Sequence, residues 1–365
     1  MQTYYWKLQN KPEDDIIIKQ AASFIKQGEV VAFPTETVYG LGANGLNGTA
    51  VNKIFAAKGR PNDNPLILHI ADKNDINKLT SGLTANAKLL MEHFWPGPLT
   101  MVVKKSAIVP DEVSAGLDTV GVRFPSNLFA QKFIKACGCP IAAPSANISG
   151  RPSPTNAMDV MEDMQGKIAA ILDAGSCGIG LESTVVDTTE PVPVILRPGG
   201  ITYEMLTEVL GAVEIDPALM GDKNFKPKAP GMKYRHYAPK ASMYLLEGEV
   251  ARLLPRFTAQ ALAEGRRVGV LASAATLGKI EQSDNLIAAS WGDSTEELAE
   301  KLFYLLRDFD RTQPDVILAE GVAEAGIGLA VMNRMRKAAG YQLVTLENGW
   351  LKIKNGTQIP PFMIQ

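Results

Sequence analysis

Short apolar runs alternate with amphipathic segments along most of this chain of 365 residues. Runs such as Leu66–Ile70 and Val120–Phe124 have the length and residue types of buried strands, whereas Leu128–Ala136 has the apolar spacing of a helix. The alternation returns later, with a strand predicted at Ser242–Leu246 and a helix at Thr295–Arg311. Strands separated by helices build parallel sheets, so the pattern predicts an α/β fold. The length exceeds that of one ordinary core and predicts two domains.

One segment interrupts this alternation and marks the domain boundary. Residues 216–240 contain four prolines, many cations and little periodicity, which is typical of a long linker. The sequence therefore predicts a first domain at 1–215, a linker at 216–240 and a second domain at 241–340. In the remaining tail, 341–365, Asn348-Gly349 joins two short apolar runs and predicts a hairpin.

Composition excludes several classes of protein. The 37 basic and 39 acidic side chains nearly cancel, so the overall charge gives no support for a nucleic-acid-binding face. The three cysteines form no disulfide framework, and the pair Cys137 and Cys139 is interpreted as buried thiols rather than as a metal or redox site. The N-terminal residues lack the pattern of a signal peptide, and no run has the length of a membrane span. We expect a cytoplasmic protein without membrane contact.

Polar side chains are concentrated where predicted strands end. A strand at Val30–Phe33 leads into the loop FPTETVYGLGANG, and a short helix follows. Neither a G-x-x-x-x-G-K-[ST] loop nor a G-x-G-x-x-G turn is present, so side-chain cations and hydroxyls would have to hold any phosphate. The chemically able residues after this helix are Lys58, Arg60, Asn64 and His69. They indicate a pocket for a small, oxygen-rich anion.

Later strands carry similar residues at their ends. Thr119 and Arg123 lie at opposite ends of one short strand, and an arginine in an apolar strand is costly unless it is paired or faces a ligand. Further candidates are Ser145, Asn147, Ser149, Ser153, Ser183, Thr184 and Arg197. Taken singly, such residues are more often caps, turn residues or surface ion pairs. Taken together, they predict an anion-binding cleft that works by positioning and charge stabilisation, since no covalent-catalysis motif is present.

The motifs PTETVYGLG, AKGRPNDNPLILH, FWPGPLT, GVRFP, APSANISGRPSPT, STVVD, ILRPG and PGMKYRHYAP occur in this order. The chain thereby resembles the threonylcarbamoyl-AMP synthases over roughly residues 15–340. The resemblance is to the two-domain form, in which a YrdC-like domain with a twisted mixed sheet is joined by a long linker to a smaller Rossmann-like parallel α/β domain. The tail from Tyr341 goes beyond the family pattern, and capping a sheet edge or contacting another subunit are both open.

The resemblance implies that L-threonine, bicarbonate or carbon dioxide, and ATP give threonylcarbamoyl-AMP and pyrophosphate. A separate transferase would then move the threonylcarbamoyl group to the adenosine beside the tRNA anticodon; a weak direct contact with tRNA is open. Catalytic roles fall to Lys58 and Arg60. The implied threonine site consists of Thr37, His69, Arg123, Ser183 and the backbone of Ala143. The implied ATP site consists of Arg60, Asn64, Thr119, Ser145, Asn147, Ser153, Arg197 and Tyr237.

Two further expectations follow from the resemblance. Mg²⁺ would be carried by the ATP phosphates, since no carboxylate cluster for a dedicated metal site is apparent in the sequence. The 216–240 segment would fold over the loaded site as a lid, with Tyr237 reaching the nucleotide. No general base for the threonine amine can be assigned, and His69 is one open candidate.

Two alternative functions also stay open. The first is a carbamoyl-adenylate-forming enzyme with another acceptor, like the YrdC-like domains of hydrogenase-maturation proteins; this chain lacks their zinc-finger and acylphosphatase-like regions. The second is an RNA-binding module, against which the net charge of −2 argues.

Overall fold

The computed structural model describes residues 2–220, 237–347, 350–354 and 358–364. They divide into an N-terminal unit, residues 2–149 and 153–220, and a C-terminal unit, residues 150–152 and 237–364. Most of the predicted linker and lid falls at 221–236, which lies outside the described residues.

The helices and strands alternate in both units. The strands are β1 Tyr4–Lys7, β2 Val31–Phe33, β3 Gly40–Asn44, β4 Ile67–His69, β5 Leu99–Lys104, β6 Thr119–Arg123, β7 Ile141–Ala142, β8 Ala170–Asp173, β9 Thr184–Asp187, β10 Val194–Arg197, β11 Glu214–Ile215, β12 Ser242–Leu246, β13 Val268–Ala272, β14 Leu286–Ser290, β15 Val316–Glu320, β16 Leu343–Glu347 and β17 Trp350–Ile353. The helices are α1 Asp14–Lys26, α2 Gly48–Lys58, α3 Ile76–Leu79, α4 Ala85–Phe94, α5 Asp111–Ser114, α6 Leu128–Cys137, α7 Ala157–Met164, α8 Tyr203–Leu210, α9 Leu254–Ala263, α10 Ala274–Leu277, α11 Thr295–Thr312, α12 Gly328–Ala338 and α13 Pro361–Ile364. None of the helices in the described part of the chain is long and apolar enough to cross a membrane.

The N-terminal unit is built on one mixed sheet of 11 strands, in the order β1-β8-β2-β3-β7-β4-β6-β5-β9-β10-β11. The sheet contains both parallel pairs, such as β4 with β6, and antiparallel pairs, such as β5 with β6. The predicted mixed-sheet α/β fold is confirmed. Strands that are distant in sequence become neighbours in this order, which brings the polar strand ends together.

Apolar clusters cover both faces of this sheet. Val31 and Phe33 belong to one cluster and Ala32 to the other, as the alternation of side chains along a strand requires. Ile18 and Ile25 bring α1 onto the first cluster, and burial of each contributes roughly 2 kcal/mol. The carboxylates of this helix lie in its first turn, where they interact favourably with the helix dipole.

The prediction of a loop after Phe33 is wrong in part, because Gly40–Asn44 forms the buried strand β3. Its glycines concealed it, since glycine is a poor strand former. The packing explains them: a Cβ at Gly42 would lie 2.7 Å from Ile141 Cγ2 and 2.9 Å from Phe33 Cε1. The N-terminal strand β1 was not predicted either; it adds to the sheet in parallel beside β8.

The C-terminal unit contains a six-stranded sheet in the order β14-β13-β15-β12-β16-β17. The first five strands of this order are mutually parallel, and β17 is antiparallel to β16. Helix α11 begins with the capping box of Ser294 and Glu297. The predicted Rossmann-like domain is confirmed. The strands of the predicted hairpin pair with Glu347 opposite Trp350 and extend the sheet beyond β12, while Asn348 and Gly349 lie outside the described residues.

Candidate functional site

A row of neighbouring residues crosses the middle of the N-terminal sheet and organises the candidate site. His69 on β4 is the register partner of Arg123 on β6, which is in turn the partner of Thr100 on β5. Thr100 pairs with Val185 on β9, and Val185 pairs with Arg197 on β10. At a strand spacing of about 4.8 Å, this row extends over about 19 Å. We call it the central row.

Arg123 is the buried cation of the central row. Its Nη1 donates a hydrogen bond to Thr37 Oγ1 at 2.9 Å, and its Nε points to the carbonyl of Gly97 at 3.4 Å. Nη2 lies 2.7 Å from Glu36 Oε1, and the Arg123 and Glu36 side chains are 4% and 14% exposed. Within the described residues, neither Glu36 oxygen accepts a hydrogen bond of ordinary geometry. The ion pair therefore balances the charges of Arg123 and Glu36 but leaves the Glu36 oxygens able to accept further hydrogen bonds.

The charge of Glu36 follows from this neighbour. Burial is the largest influence and would raise the pKa of the Glu36 carboxyl, but the adjacent Arg123 guanidinium, together with the backbone amides of Glu36 and Ser126, holds the pKa below its ordinary value. Glu36 is thus ionised at neutral pH, next to an arginine that could also bind a ligand carboxylate.

His69 is a neutral imidazole beside this ion pair. Burial, followed by the charge of Arg123, lowers its pKa from 6.5 to about 3. Its Nδ1 lies 3.2 Å from the Ile67 carbonyl, and its ring meets Phe33 edge-on with the centroids 5.9 Å apart. At neutral pH it can donate or accept one hydrogen bond but adds no charge to the site.

A chain of hydroxyl groups leads from the middle of the row to Arg197. Thr100 Oγ1 and Ser183 Oγ lie 2.8 Å apart. Arg197 donates from Nη2 to Ser183 Oγ at 3.1 Å and from Nε to the Ser183 carbonyl at 3.0 Å. All three residues are buried. Gly199 permits this close approach, because a Cβ there would lie 2.4 Å from the Thr184 nitrogen.

Lys58 organises the loop after β7. Helix α2 ends at this residue, with Gly59 in the left-handed conformation at φ 60°. The Lys58 ammonium donates to the carbonyls of Ser145 at 2.5 Å and Asn147 at 2.6 Å. Ser145 Oγ in turn donates to Asn147 Oδ1 at 2.5 Å. A buried cation and this serine–asparagine loop thus form one unit.

Arg60 and Asn64 follow directly. The Arg60 guanidinium donates from Nη2 to the Asn64 carbonyl at 3.0 Å and lies over the Phe55 ring at 5.8 Å from its centroid. The Asn64 side chain is 2% exposed, yet neither of its amide atoms has a hydrogen-bond partner among the described residues. Buried amides are normally satisfied, so this one is suited to a ligand.

Four predicted site residues take no part in the contacts described so far. Thr119 starts β6, about 13 Å from Arg123 at its end. Ser153 donates to Glu182 Oε1 at 2.6 Å, and the amide of Ala143 donates to the Ile67 carbonyl at 2.9 Å. Tyr237 belongs to the C-terminal unit, where its ring stacks on Phe303 with the centroids 4.9 Å apart.

Three residues of this region were missed in the sequence. Glu36 lies inside the PTETVYGLG motif, and a carboxylate is not the residue type that an anion site predicts. Thr100 ends the FWPGPLT motif, and Glu182 precedes Ser183. Their polar partners lie on other strands, so only the strand order reveals them.

No group of three or more His, Cys, Asp or Glu side chains in the described ranges is arranged to hold a metal ion. Cys137 is a buried free thiol and Cys139 a half-buried one. Burial raises the pKa of Cys139 to about 11.

Comparisons with known proteins cover nearly the whole chain. A family model described as "Telomere recombination" matches residues 23–199, and one described as "Threonylcarbamoyl-AMP synthase, C-terminal domain" matches residues 201–340. The threonylcarbamoyl-AMP synthase of Pyrococcus abyssi is 52% identical over 90% of this chain and 95% of that protein. The one from Bacillus subtilis is 47% identical over 91% and 95%, respectively. The crystal structure of P. abyssi Sua5 complexed with L-threonine matches with a TM-score of 0.88 and 48% identity, over 95% of this chain and 100% of that chain.

Proposed function

The chain belongs to the threonylcarbamoyl-AMP synthase family, and from that premise we propose that it converts L-threonine, bicarbonate or carbon dioxide, and ATP to threonylcarbamoyl-AMP and pyrophosphate. The observation that carries the proposal is the arrangement of two buried guanidinium groups, Arg123 and Arg197, on the central row. Thr100 and Ser183 place hydroxyl groups between them. One cation suits a carboxylate and the other a phosphate, so the row fits a substrate that carries both.

Threonine would occupy the Arg123 end. A guanidinium can hold a carboxylate through two parallel hydrogen bonds, and Thr37 already orients one nitrogen of Arg123. Neutral His69 and the hydroxyl of Ser183 would contact the threonine hydroxyl or amine, and the Ala143 backbone would complete the site. A site that pairs with the substrate hydroxyl rejects analogues lacking it much more strongly than an apolar pocket does.

ATP would occupy the other part of the site. Lys58 would hold the loop of Ser145 and Asn147 against the phosphates, while Arg60 and Arg197 would neutralise their charge. The open amide of Asn64 would bond the nucleotide. Mg²⁺ would arrive on the ATP phosphates and share this neutralisation. Roles for Thr119, Ser153 and Tyr237 at more distant parts of ATP remain part of the proposal.

The chemistry would proceed by attack of a carbamate oxygen on the α-phosphorus. Charge then develops on phosphoryl oxygens, and fixed cations stabilise it without reorganisation. The product is a reactive mixed anhydride, which a tRNA threonylcarbamoyl transferase would use to modify the adenosine beside the anticodon. We place the enzyme in the cytoplasm, where tRNA and ATP are available.

Pyrophosphate release from ATP and Mg²⁺ tests the proposal, measured with and without L-threonine and bicarbonate. We expect release that requires both co-substrates and is lost in Arg60→Ala. The matched control is Arg252→Ala, because Arg252 is exposed in the C-terminal unit and should leave the rate unchanged. Release that needs bicarbonate but ignores threonine would indicate another acceptor. A salt-sensitive tRNA mobility shift without any release would indicate the RNA-binding alternative.

A further inference from the structure

Glu36 is a buried carboxylate for which the proposed chemistry has no role so far. Its Oε1 lies 2.7 Å from Arg123 Nη2, and its side chain is 14% exposed. Neither oxygen accepts a hydrogen bond of ordinary geometry from the described residues. The carboxylate therefore has capacity to accept hydrogen bonds at the position where the substrate carboxylate is proposed to bind.

The side chains that act on Glu36 come from three parts of the N-terminal unit, and the backbone amides of Glu36 and Ser126 also lower its pKa. Arg123 faces it from β6, His69 acts on it from β4, and Cys177 acts on it from the segment after β8. The imidazole is neutral at physiological pH, and burial raises the pKa of the Cys177 thiol to about 12, so this group is neutral as well. Arg123 is thus the charged neighbour on which the ionisation of Glu36 depends.

We propose that Glu36 receives the α-ammonium group of threonine and accepts its proton, while the substrate carboxylate takes the place of Glu36 on Arg123. This inference rests on the proposed function. An α-amino acid carries its ammonium and carboxylate on one carbon atom, so it presents opposite charges to Arg123 and Glu36 at the same time. The contact between these side chains in the free protein keeps both charges compensated until the substrate arrives.

The exchange of partners also changes the basicity of Glu36. In the free protein the guanidinium holds the carboxylate ionised although burial opposes this. Once the substrate carboxylate neutralises Arg123, the largest opposing influence is cancelled while burial remains, so the proton affinity of Glu36 rises. Binding of the substrate α-carboxylate to Arg123 thus makes Glu36 a stronger base.

The proton balance of the step is simple. The ammonium passes one proton to the Glu36 carboxylate, which leaves a neutral amine and a carboxylic acid. The amine lone pair forms the new N–C bond with carbon dioxide, one C=O electron pair moves onto oxygen, and the second N–H proton passes to solvent. The resulting carbamate attacks ATP, and Glu36 returns its proton to solvent after product leaves.

The test compares Glu36→Gln with Glu29→Gln, a matched change at a half-exposed glutamate paired with Lys53. For Glu36→Gln we expect kcat/KM for threonine to fall about 10²- to 10³-fold at pH 7. This loss should shrink about tenfold per pH unit as the pH approaches the pKa of the threonine ammonium, because solution then supplies the free amine. Glu29→Gln should follow the wild type at every pH.

The reverse adenylyl step separates this role from a structural one. Threonylcarbamoyl-AMP made by the wild-type enzyme is mixed with pyrophosphate and each variant, and ATP formation is measured. Glu36→Gln should form ATP within about threefold of the wild-type rate, because no ammonium proton moves before this step. An equal loss in both directions, with an unchanged pH profile, would overturn the proposal. A faster forward reaction would also overturn it, since Glu36 would then only compete with substrate.

A second variant keeps the test decisive if Glu36→Gln does not fold. Glu36→Asp retains a carboxylate, and we expect it to keep the pH profile of the wild type at a reduced rate. A profile for Glu36→Asp that rises tenfold per pH unit would contradict the proposal. Wild-type enzyme that forms no threonylcarbamoyl-AMP would instead refute the proposed function itself.

Discussion

Two arginine–glutamate contacts, one in each unit, differ in how completely their hydrogen bonds are made. In the C-terminal unit, Arg336 donates to Glu247 at 2.8 and 3.3 Å and to Glu324 at 3.0 and 2.6 Å. In the N-terminal unit, Arg123 meets Glu36 at 2.7 Å, and the carboxylate oxygens complete no ordinary hydrogen bond with the described residues. Both contacts bring together the same residue types.

The difference teaches how to separate structural from functional polar groups. In a well-paired contact such as that of Arg336, four of the five guanidinium N–H groups donate to carboxylates, and the contact contributes to a fixed packing. A buried pair with open acceptors carries a desolvation cost that the protein itself does not recover. Such a cost is tolerated where a bound ligand recovers it. A buried ion pair with unmade hydrogen bonds therefore identifies a ligand site better than the types of its residues do.

The largest expected effect is that of changing the two arginines in parallel. Arg123→Lys keeps the charge but loses the planar grip on a carboxylate, and kcat/KM for threonine should fall about 10³-fold. Arg336→Lys should leave kcat/KM within about twofold while lowering the unfolding temperature. Steady-state pyrophosphate release and thermal unfolding of both variants provide the measurement. Equal activity losses would break the comparison.

An intermediate effect concerns acid stability. The pKa of His69 is about 3 in the folded protein and 6.5 as its ordinary value, so the unfolded chain binds a proton first as the pH falls. The stability contribution of His69 is complete above pH 6.5 and is lost progressively towards pH 3. At pH 5 the free energy of unfolding should be about 2 kcal/mol lower than at neutral pH because of His69.

Denaturant unfolding between pH 7.5 and 5 measures this contribution. The wild type should lose the expected stability, and His69→Gln should show a flatter pH dependence. His93→Gln, at an exposed position on α4, is the control and should retain the wild-type slope. Identical slopes in His69→Gln and the wild type would contradict the assignment.

The smallest effect sharpens the comparison within one residue type. Asn64 has an open buried amide, whereas Asn156 caps α7 by accepting from the Asp159 amide at 2.9 Å. Asn64→Leu should stabilise the free protein by about 1 kcal/mol and raise KM for ATP, because it removes an unsatisfied amide. Asn156→Leu should destabilise it by about 1 kcal/mol through loss of the cap. Paired unfolding curves without nucleotide decide the signs.

Much of the fold is present in local sequence patterns. Helices α6 and α11 were predicted to within one residue of their observed bounds, because their apolar periodicity and caps are local properties. Strand β3 was missed because it contains glycines. Glycine is required at Gly42 by the close packing of Phe33 and Ile141, which lie elsewhere in the chain. A prediction from local sequence uses only the side chains of the strand itself and cannot take these two packing neighbours into account.

The site divides in the same way. Polar residues at strand ends, including Arg123, Ser183 and Arg197, could be identified from the sequence because they are costly inside apolar runs. Their partners could not be identified. The contact between Thr100 and Ser183 joins residues 83 positions apart, and it depends on β5 lying beside β9.

The C-terminal tail has a consequence for the solubility of this chain. The family match ends at residue 340, and β16 begins at Leu343 beside β12. A chain ending at that boundary would leave the end of strand β12, at Leu245 and Leu246, without its partner β16, and unpaired backbone groups at a sheet edge are a template for strand addition between molecules. The tail pairs with this strand and returns through Phe362, whose ring is buried. It thereby covers backbone groups of Leu245 and Leu246 that would otherwise be open to strand addition by another molecule.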